Sequence, residues 1–459
     1  MAPVRLELIP DAPEPRCWKV AATVKTTRSR PVALTPTVSP MAIRRICQKT
    51  SRSGSVAFVV AMAMSGAGVT ISLLAATALE NETNGGAHGA LWAGAFLIIL
   101  FVTKAGAIWA MPTWSVRVAP ERLFLLTTIL LIVAWGGAGI LIVLDAPATA
   151  IILAVAPVDG IANGVFAVET PLLSSEYFSE QSFATAHARV SFVWGIACAL
   201  GAISAGLLID GAGAGWALVA RAALSIPMLL VAVRLVRFRK RAIPHVEMHD
   251  ARVASGNQSR DARRILADPA VRRVVLLAVI LTAVTAPVIV MIVPIGESLL
   301  HTSNVLGASI VLSAMSVGSL LAPAFVRLFD RRMSTGRDPI LAAFVASGLL
   351  LAAFGVASIF LTSRTQLFAL AAVGLVFGGA EFGSQSTVLG QVVRVSGSSS
   401  ARQAISTMKF STSLAAPLGI LAWEILLDTT SGVTAMFVSA VAVIIMAFSF
   451  SRLRSFQVV

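Results

Sequence analysis

About twelve apolar blocks, each close to twenty residues long, divide this chain, and no other feature limits its fold so strongly. They run approximately over 55–79, 90–111, 123–144, 149–168, 190–209, 215–236, 274–300, 305–328, 339–361, 366–387, 404–427 and 431–451. A helix of about 20 residues rises ~30 Å, the thickness of a hydrocarbon core, and in lipid its backbone polar groups must be satisfied within the segment. An all-α integral membrane protein with about twelve transmembrane helices is therefore expected. Composition agrees: only 13% of residues are charged, where a soluble surface needs roughly a quarter.

The net charge of +14 sits in short clusters between the blocks, not on a face or tail that could track phosphates, which speaks against nucleic-acid binding. Arg44, Arg45 and Lys49 precede the first block, Arg117 and Arg122 follow the second, and Arg237, Arg239, Lys240 and Arg241 follow the sixth. Arg327, Arg331, Arg332 and Arg337 flank the loop after the eighth, and Arg452 and Arg454 follow the twelfth. All fall on one side. The opposite loops carry Glu80, Glu82, Asp145, Asp210 and Asp428 against Arg364 alone. By the positive-inside rule both termini are expected to be cytoplasmic, in a multi-pass protein of the cell (inner or plasma) membrane.

A second constraint is an internal repeat. Val158 to Asp210 lies over Val376 to Asp428 without a gap, pairing Gly160 with Gly378, Ala162 with Ala380, Ala186 with Ala404, Phe192 with Phe410, Gly201 with Gly419 and Asp210 with Asp428. Apolar segments match easily by chance, so the shared spacing of apolar blocks and polar breaks is the better signal. Two similar halves are a common plan of secondary transporters. The chain divides accordingly into a disordered cytoplasmic tail at 1–54, a six-helix bundle at 55–236, a cytoplasmic linker at 237–273, a second six-helix bundle at 274–451 and a short tail at 452–459.

The tail lacks the apolar region and small-residue cleavage site of a signal peptide, and Met41 is a candidate start. The end of the linker, with Ile265, Leu266 and Val271 among arginines, reads either as an amphipathic helix on the membrane surface or as a solvated linker. Cys17, Cys47 and Cys198 have no metal or redox spacing. No Walker-type GxxxxGK[ST] sequence is present, so the expected energy source is a proton gradient with no cofactor and no metal.

The six-plus-six plan, the repeat, the ILADPAVRR lead-in to the seventh block and the GSLLAPAFVRLFDRR run from Gly318 resemble the major facilitator superfamily, within it the twelve-helix drug and siderophore exporters related to enterobactin exporters. The resemblance implies a central cavity lined by helices 1, 4, 7 and 10, a monomer, and efflux of a hydrophobic or amphiphilic small molecule. Three departures bear on it. The loop after the second helix keeps Arg117 and Arg122 but lacks the family's Asp, whereas the second half keeps Arg327, Asp330 and Arg331 as gate residues. The proton-coupled exporters' Arg in helix 4 is Ala156 here, which excludes a mechanism using that Arg. Their central Gly-Pro in helix 5 is Gly201-Ala202, so small-residue packing at Gly195, Gly201 and Gly206 survives while the argument for export weakens.

Acids near the bilayer midplane mark pathways more often than architecture, because a charge there costs ~2.5–3.5 kcal/mol on insertion. Asp159 lies ~15 Å from the outer end of its helix, with Asn163 at i+4 on the same face; Glu381 and Gln385 repeat that arrangement in the second half. Asp159 and Glu381 are candidates to bind a substrate, a proton or both in turn, the alternative being a structural polar pair. Lys104, at similar depth in the second helix, is a candidate ion-pair partner of Asp159, and Glu297 a candidate outer gate. Lys409 and Arg221 are expected to snorkel, Glu424 to reach the outer interface, and Trp92, Trp109, Trp114, Trp216 and Trp423 to anchor helix ends. Alternating-access transport follows, as proton-driven efflux or, alternatively, as metabolite uptake by proton symport. An enzyme acting on lipid is disfavoured because the five histidines are scattered.

Overall fold

The computed structural model describes residues 40–84, 86–177, 183–242, 267, 269–290, 305–327, 339–360, 363–396 and 401–453. The regular elements among them are all helical, and twelve cross or nearly cross a membrane thickness. In the first half these are α1 (Pro40–Asn84), α2 (Gly86–Arg117), α3 (Pro120–Val143), α4 (Ala148–Tyr177), α5 (Phe183–Ala212) and α6, which comes in two pieces, α6a (Ala214–Leu224) and α6b (Ile226–Ala242). The second half has α7 (Pro269–Val290), α8 (Val305–Gly318, running on through a 3-10 turn at Ser319–Leu321), α9 (Pro339–Phe360), α10 (Ser363–Ser396), α11 (Ala401–Thr429) and α12 (Gly432–Leu453). Ten spans are long and apolar enough to cross a membrane, and Phe344–Phe360 and Gly432–Met446 are shorter apolar helices. The all-α, two-half architecture is thus as expected.

Boundaries follow local chemistry. Pro120 opens α3 in the first-turn position, where its missing N–H costs nothing. The turn between α5 and α6a is the single residue Gly213, at φ 91°, a backbone conformation that side chains with a Cβ avoid. The break within α6 falls at Ser225, because Pro227 two residues on has no N–H for the bond back into α6a. Two expected boundaries move. Helix α1 already runs from Pro40, so residues 40–54 continue a helix instead of forming a disordered tail; no Pro or Gly interrupts the chain between Pro40 and Gly54. The linker likewise shortens, since α6b extends to Ala242 and α7 starts at Pro269.

Within the first half the closest packing is α2 on α4, α1 on α5 and α3 on α6a; within the second it is α8 on α10, α7 on α11 and α9 on α12. Under the repeat these are matching pairs. The glycines that coincide in sequence occupy matching contacts: a Cβ on Gly201 would collide with the Ala67 backbone of α1, and one on Gly419 with the Ala283 backbone of α7. Gly160 and Gly378 press in the same way on the backbones of α2, at Leu100, and of α8, at Met315. Helices in lipid gain cohesion from such close approach, having no hydrophobic effect between them.

The halves meet along two antiparallel seams, α5 against α8 and α2 against α11. In the first seam Gly195 faces Ser316 and Ser319, and a Cβ on Gly206 would lie 2.7 Å from Ser309 Oγ. Of the packing glycines, Gly195 and Gly206 therefore serve the contact between halves, while Gly201 serves the contact within the first. Trp109, Trp216 and Trp92 are exposed at helix ends, as anchors require; Trp423 is instead buried at 2% exposure. Its position on α11 faces the packed interior, and burial of a large ring outweighs interfacial anchoring there.

Candidate functional site

Helix α4 carries its acid into the bundle. Asp159 is 2% exposed, and one turn on the Asn163 side-chain amide donates to the Asp159 backbone carbonyl at 2.9 Å. The amide therefore braces the helix beside the acid. The cation acting most strongly on Asp159 is Arg221 of α6a, ahead of Lys104 of α2; Trp135 of α3 borders the same group. Arg221 corrects the snorkelling expectation, because it is fully buried. Two features hold it there. Its Nη1 donates to Ser225 Oγ at 2.7 Å one turn along, and Gly68 of α1 leaves the space, since a Cβ at Gly68 would lie 2.7 Å from that nitrogen.

This network is not closed by direct bonds. Asp159 Oδ1, Trp135 Nε1, and Nε and Nη2 of Arg221 are buried without hydrogen-bond partners. Lys104 is half-buried, with its ammonium 5.2 Å from the centre of the Phe101 ring, a cation–π geometry. The expected bond between Lys104 and Asp159 is thus a longer-range attraction, shared with the stronger one from Arg221.

The second half has different chemistry at the matching place. Glu381 of α10 is 2% exposed, and its Oε1 accepts from Thr285 Oγ1 of α7 at 3.0 Å and from Gln385 Nε2 at 2.9 Å. The other oxygen, Oε2, is buried without a partner. Gln385 itself is exposed and so links the buried carboxyl to accessible surface. The groups bonded to Glu381 are all neutral donors; the Ser384 hydroxyl adds only a bond to the Glu381 backbone carbonyl. Thr285 adds a further property. Its hydroxyl has one hydrogen but two acceptors in reach, Glu381 Oε1 and the Leu281 carbonyl at 2.9 Å. When Thr285 donates to Leu281, the contact with Glu381 is completed by a proton carried on Glu381. When it donates to Glu381, the carboxyl has no need of a proton on Oε1 and can be ionised. The same geometry fits both states.

Of the remaining candidates, Glu297, Asp330 and Arg331 lie outside the described residues, and Arg327 is exposed at the end of the α8 segment. Glu424 turns inward instead of reaching the outer interface: it is 8% exposed and lodged against Gly94 of α2, with Oε1 unpartnered. The absence of a side chain at Gly94 opens that place. Among the described residues no group of three or more His, Cys, Asp or Glu could hold a metal ion. Arg221 was expected only to snorkel, and Trp135 and Thr285 were not singled out from sequence. A lone Arg with Ser at i+4 was the one available signal for the first; for Trp135 and Thr285 there was none, since buried aromatic and Thr side chains in apolar helices are ordinary.

Residues 54–420 match the family model described as Major Facilitator Superfamily. No curated protein sequence matches significantly. Solved structures of similar fold include the nucleoside transporter NupG, 13% identical with a TM-score of 0.61, covering 87% of this chain and 98% of that one. A point mutant of the same transporter gives 12% identity and a TM-score of 0.62, covering 87% and 99%. These neighbours are not drug or siderophore exporters, and at such identity they speak for the fold alone. A family match over most of the chain, twelve apolar helices and two halves joined along α2–α11 and α5–α8 agree: this chain belongs to the major facilitator superfamily of membrane transporters.

Proposed function

We propose that this protein is a proton-coupled secondary transporter that moves a small molecule across a cell membrane by alternating access, with Glu381 as the coupling group. The observation that carries this reading is the setting of Glu381: a buried carboxyl between α7 and α10, bonded only to neutral donors and with one oxygen free. Among the described residues no cation holds its charge in place, so the least costly way to keep it in a low-dielectric bundle is to protonate it. Opening to water through Gln385 would let the proton leave. Asp159 differs, because Arg221 and Lys104 both act on it. With two cations acting on it, part of the cost of burying its charge is offset, and it serves to set the first half's structure and the field of the cavity.

As to direction, we favour uptake by proton symport. The helix-5 pattern that supports export has Ala202 in place of the proline, and the solved neighbours of similar fold are nucleoside transporters. Nothing in those neighbours fixes the cargo. The protein is proposed to be a monomer, with the arginine-rich end of the bundle and both termini in the cytoplasm, in line with the positive-inside rule. Right-side-out vesicles test the direction. A proton gradient, acid outside, should drive accumulation of the cargo found by comparing extracellular metabolites of cells with and without the gene. Accumulation only in inverted vesicles acidified inside would establish export instead.

A further inference from the structure

The seam between α2 and α11 holds a pair of cations that the coupling scheme does not use. On α2, Lys104 and Ile108 share a face, being one turn apart. Phe410 of α11 packs into a small apolar cluster with Ile108, Met111, Val165 and Val168. The antiparallel register that sets Phe410 with Ile108 and Glu424 against Gly94 puts Lys409 within about two turns of Lys104 along the seam, near enough for one charge to act on the other. The two helices are antiparallel and in contact along the seam, with Gly94 against Glu424 further out. Both lysines are half-buried. Neither ammonium has a hydrogen-bonded or ion-paired carboxylate among the described residues; Asp159, the acid acting on Lys104, acts at longer range and more strongly with Arg221.

Two like charges near one another on packed helices repel, and each, half-buried, has lost part of its hydration. A chain that keeps both there without a bonded acid leaves room for an anion between them. We propose that Lys104 and Lys409 form an anion-binding subsite of the transport cavity, taking a carboxylate or phosphate group of the transported molecule. An anion bridging them would tie α2 of the first half to α11 of the second, so its arrival and departure would be felt where the halves move. The inference rests on the alternating-access reading only in that the cavity must open to water. It names a class of cargo, an organic anion, or one whose polar end is anionic.

The test needs neither transport nor a gradient, so its failure is distinct from failure of the coupling scheme. Purified protein in nanodiscs of zwitterionic lipid is treated with pyridoxal 5′-phosphate or with 5′-deoxypyridoxal, which lacks the phosphate and, like the phosphate ester, cannot close to an internal hemiacetal. Each aldehyde condenses with a lysine amine, losing water, and borohydride reduces the imine so that the site can be mapped by mass spectrometry. Lys104 or Lys409 should react with the phosphate reagent about tenfold more than with the deoxy reagent, the ratio given by about 1.4 kcal/mol of charge-assisted binding. Inorganic phosphate or acetate should compete. Lys409→Gln should bring labelling of Lys104 down to the level of the deoxy reagent, while Lys409→Arg, which keeps the charge, should retain the preference. Equal labelling by the two reagents overturns the subsite. So does protection by phosphatidylglycerol in the nanodisc with none from inorganic phosphate or acetate, which would make the occupant a lipid headgroup. Should Lys409→Gln fail to fold, the reagent comparison on the unaltered protein still decides.

Discussion

Thr285 of α7 and Glu381 of α10 are joined by a 3.0 Å contact whose hydrogen can belong to either residue, because the Leu281 carbonyl competes for the Thr285 hydroxyl at 2.9 Å. Removing the hydroxyl while keeping the shape, as in Thr285→Val, leaves Glu381 with Gln385 alone. A buried polar group stripped of one bond loses about 1–3 kcal/mol. Gradient-driven accumulation should fall by roughly tenfold, while cargo exchange without a gradient continues. Thr285→Ser should behave like the parent. Equal loss of exchange and accumulation in Thr285→Val would mark Thr285 as a packing residue only.

Arg221 and Asp159 are mutually dependent. Arg221→Met removes the strongest cation acting on a fully packed carboxylate and leaves the charge of Asp159 less compensated in a poor solvent. The thermal melting temperature in detergent should drop markedly. Asp159→Asn in the same chain should restore much of it. If the double variant melts no higher than Arg221→Met alone, the two groups are not energetically coupled.

The glycine pairs of the repeat give a third expectation. Gly201→Ala and Gly419→Ala place a methyl group into the backbones of α1 and α7, and each should destabilise by about 1–3 kcal/mol through overpacking. Gly137→Ala is the control. A Cβ at Gly137 meets nothing within 4 Å, so the exchange should be neutral or stabilise by up to about 1 kcal/mol through helix propensity. Melting curves of the three variants check this, and similar behaviour at all three sites would contradict the packing account.

Much of this arrangement was legible in the sequence, for stated physical reasons. The apolar blocks report helices because lipid permits little else, and the repeat reported equivalent contacts because Gly160, Gly378, Gly201 and Gly419 have no side chain to separate backbones. Depth along a helix is also readable, which is how Asp159, Glu381 and Lys104 came into view. Azimuth and partner choice are not. Arg221 was expected at the outer interface, and only the space opened by Gly68 on a different helix shows that it turns inward. Glu424 is the same case, with Gly94 as the unseen partner. Thr285 had no signal at all, since its role depends on which helix lies across from it.

Energy coupling in this protein turns on Glu381 carrying the proton. The most direct measurement is transport by Glu381→Gln protein in liposomes, scored two ways: accumulation driven by an imposed proton gradient, and exchange of labelled against unlabelled cargo at equal pH. Glutamine keeps the hydrogen-bonding shape but cannot release a proton. Gradient-driven accumulation should be abolished while exchange persists within a few-fold of the parent. Accumulation that still follows the proton gradient in Glu381→Gln would contradict the account.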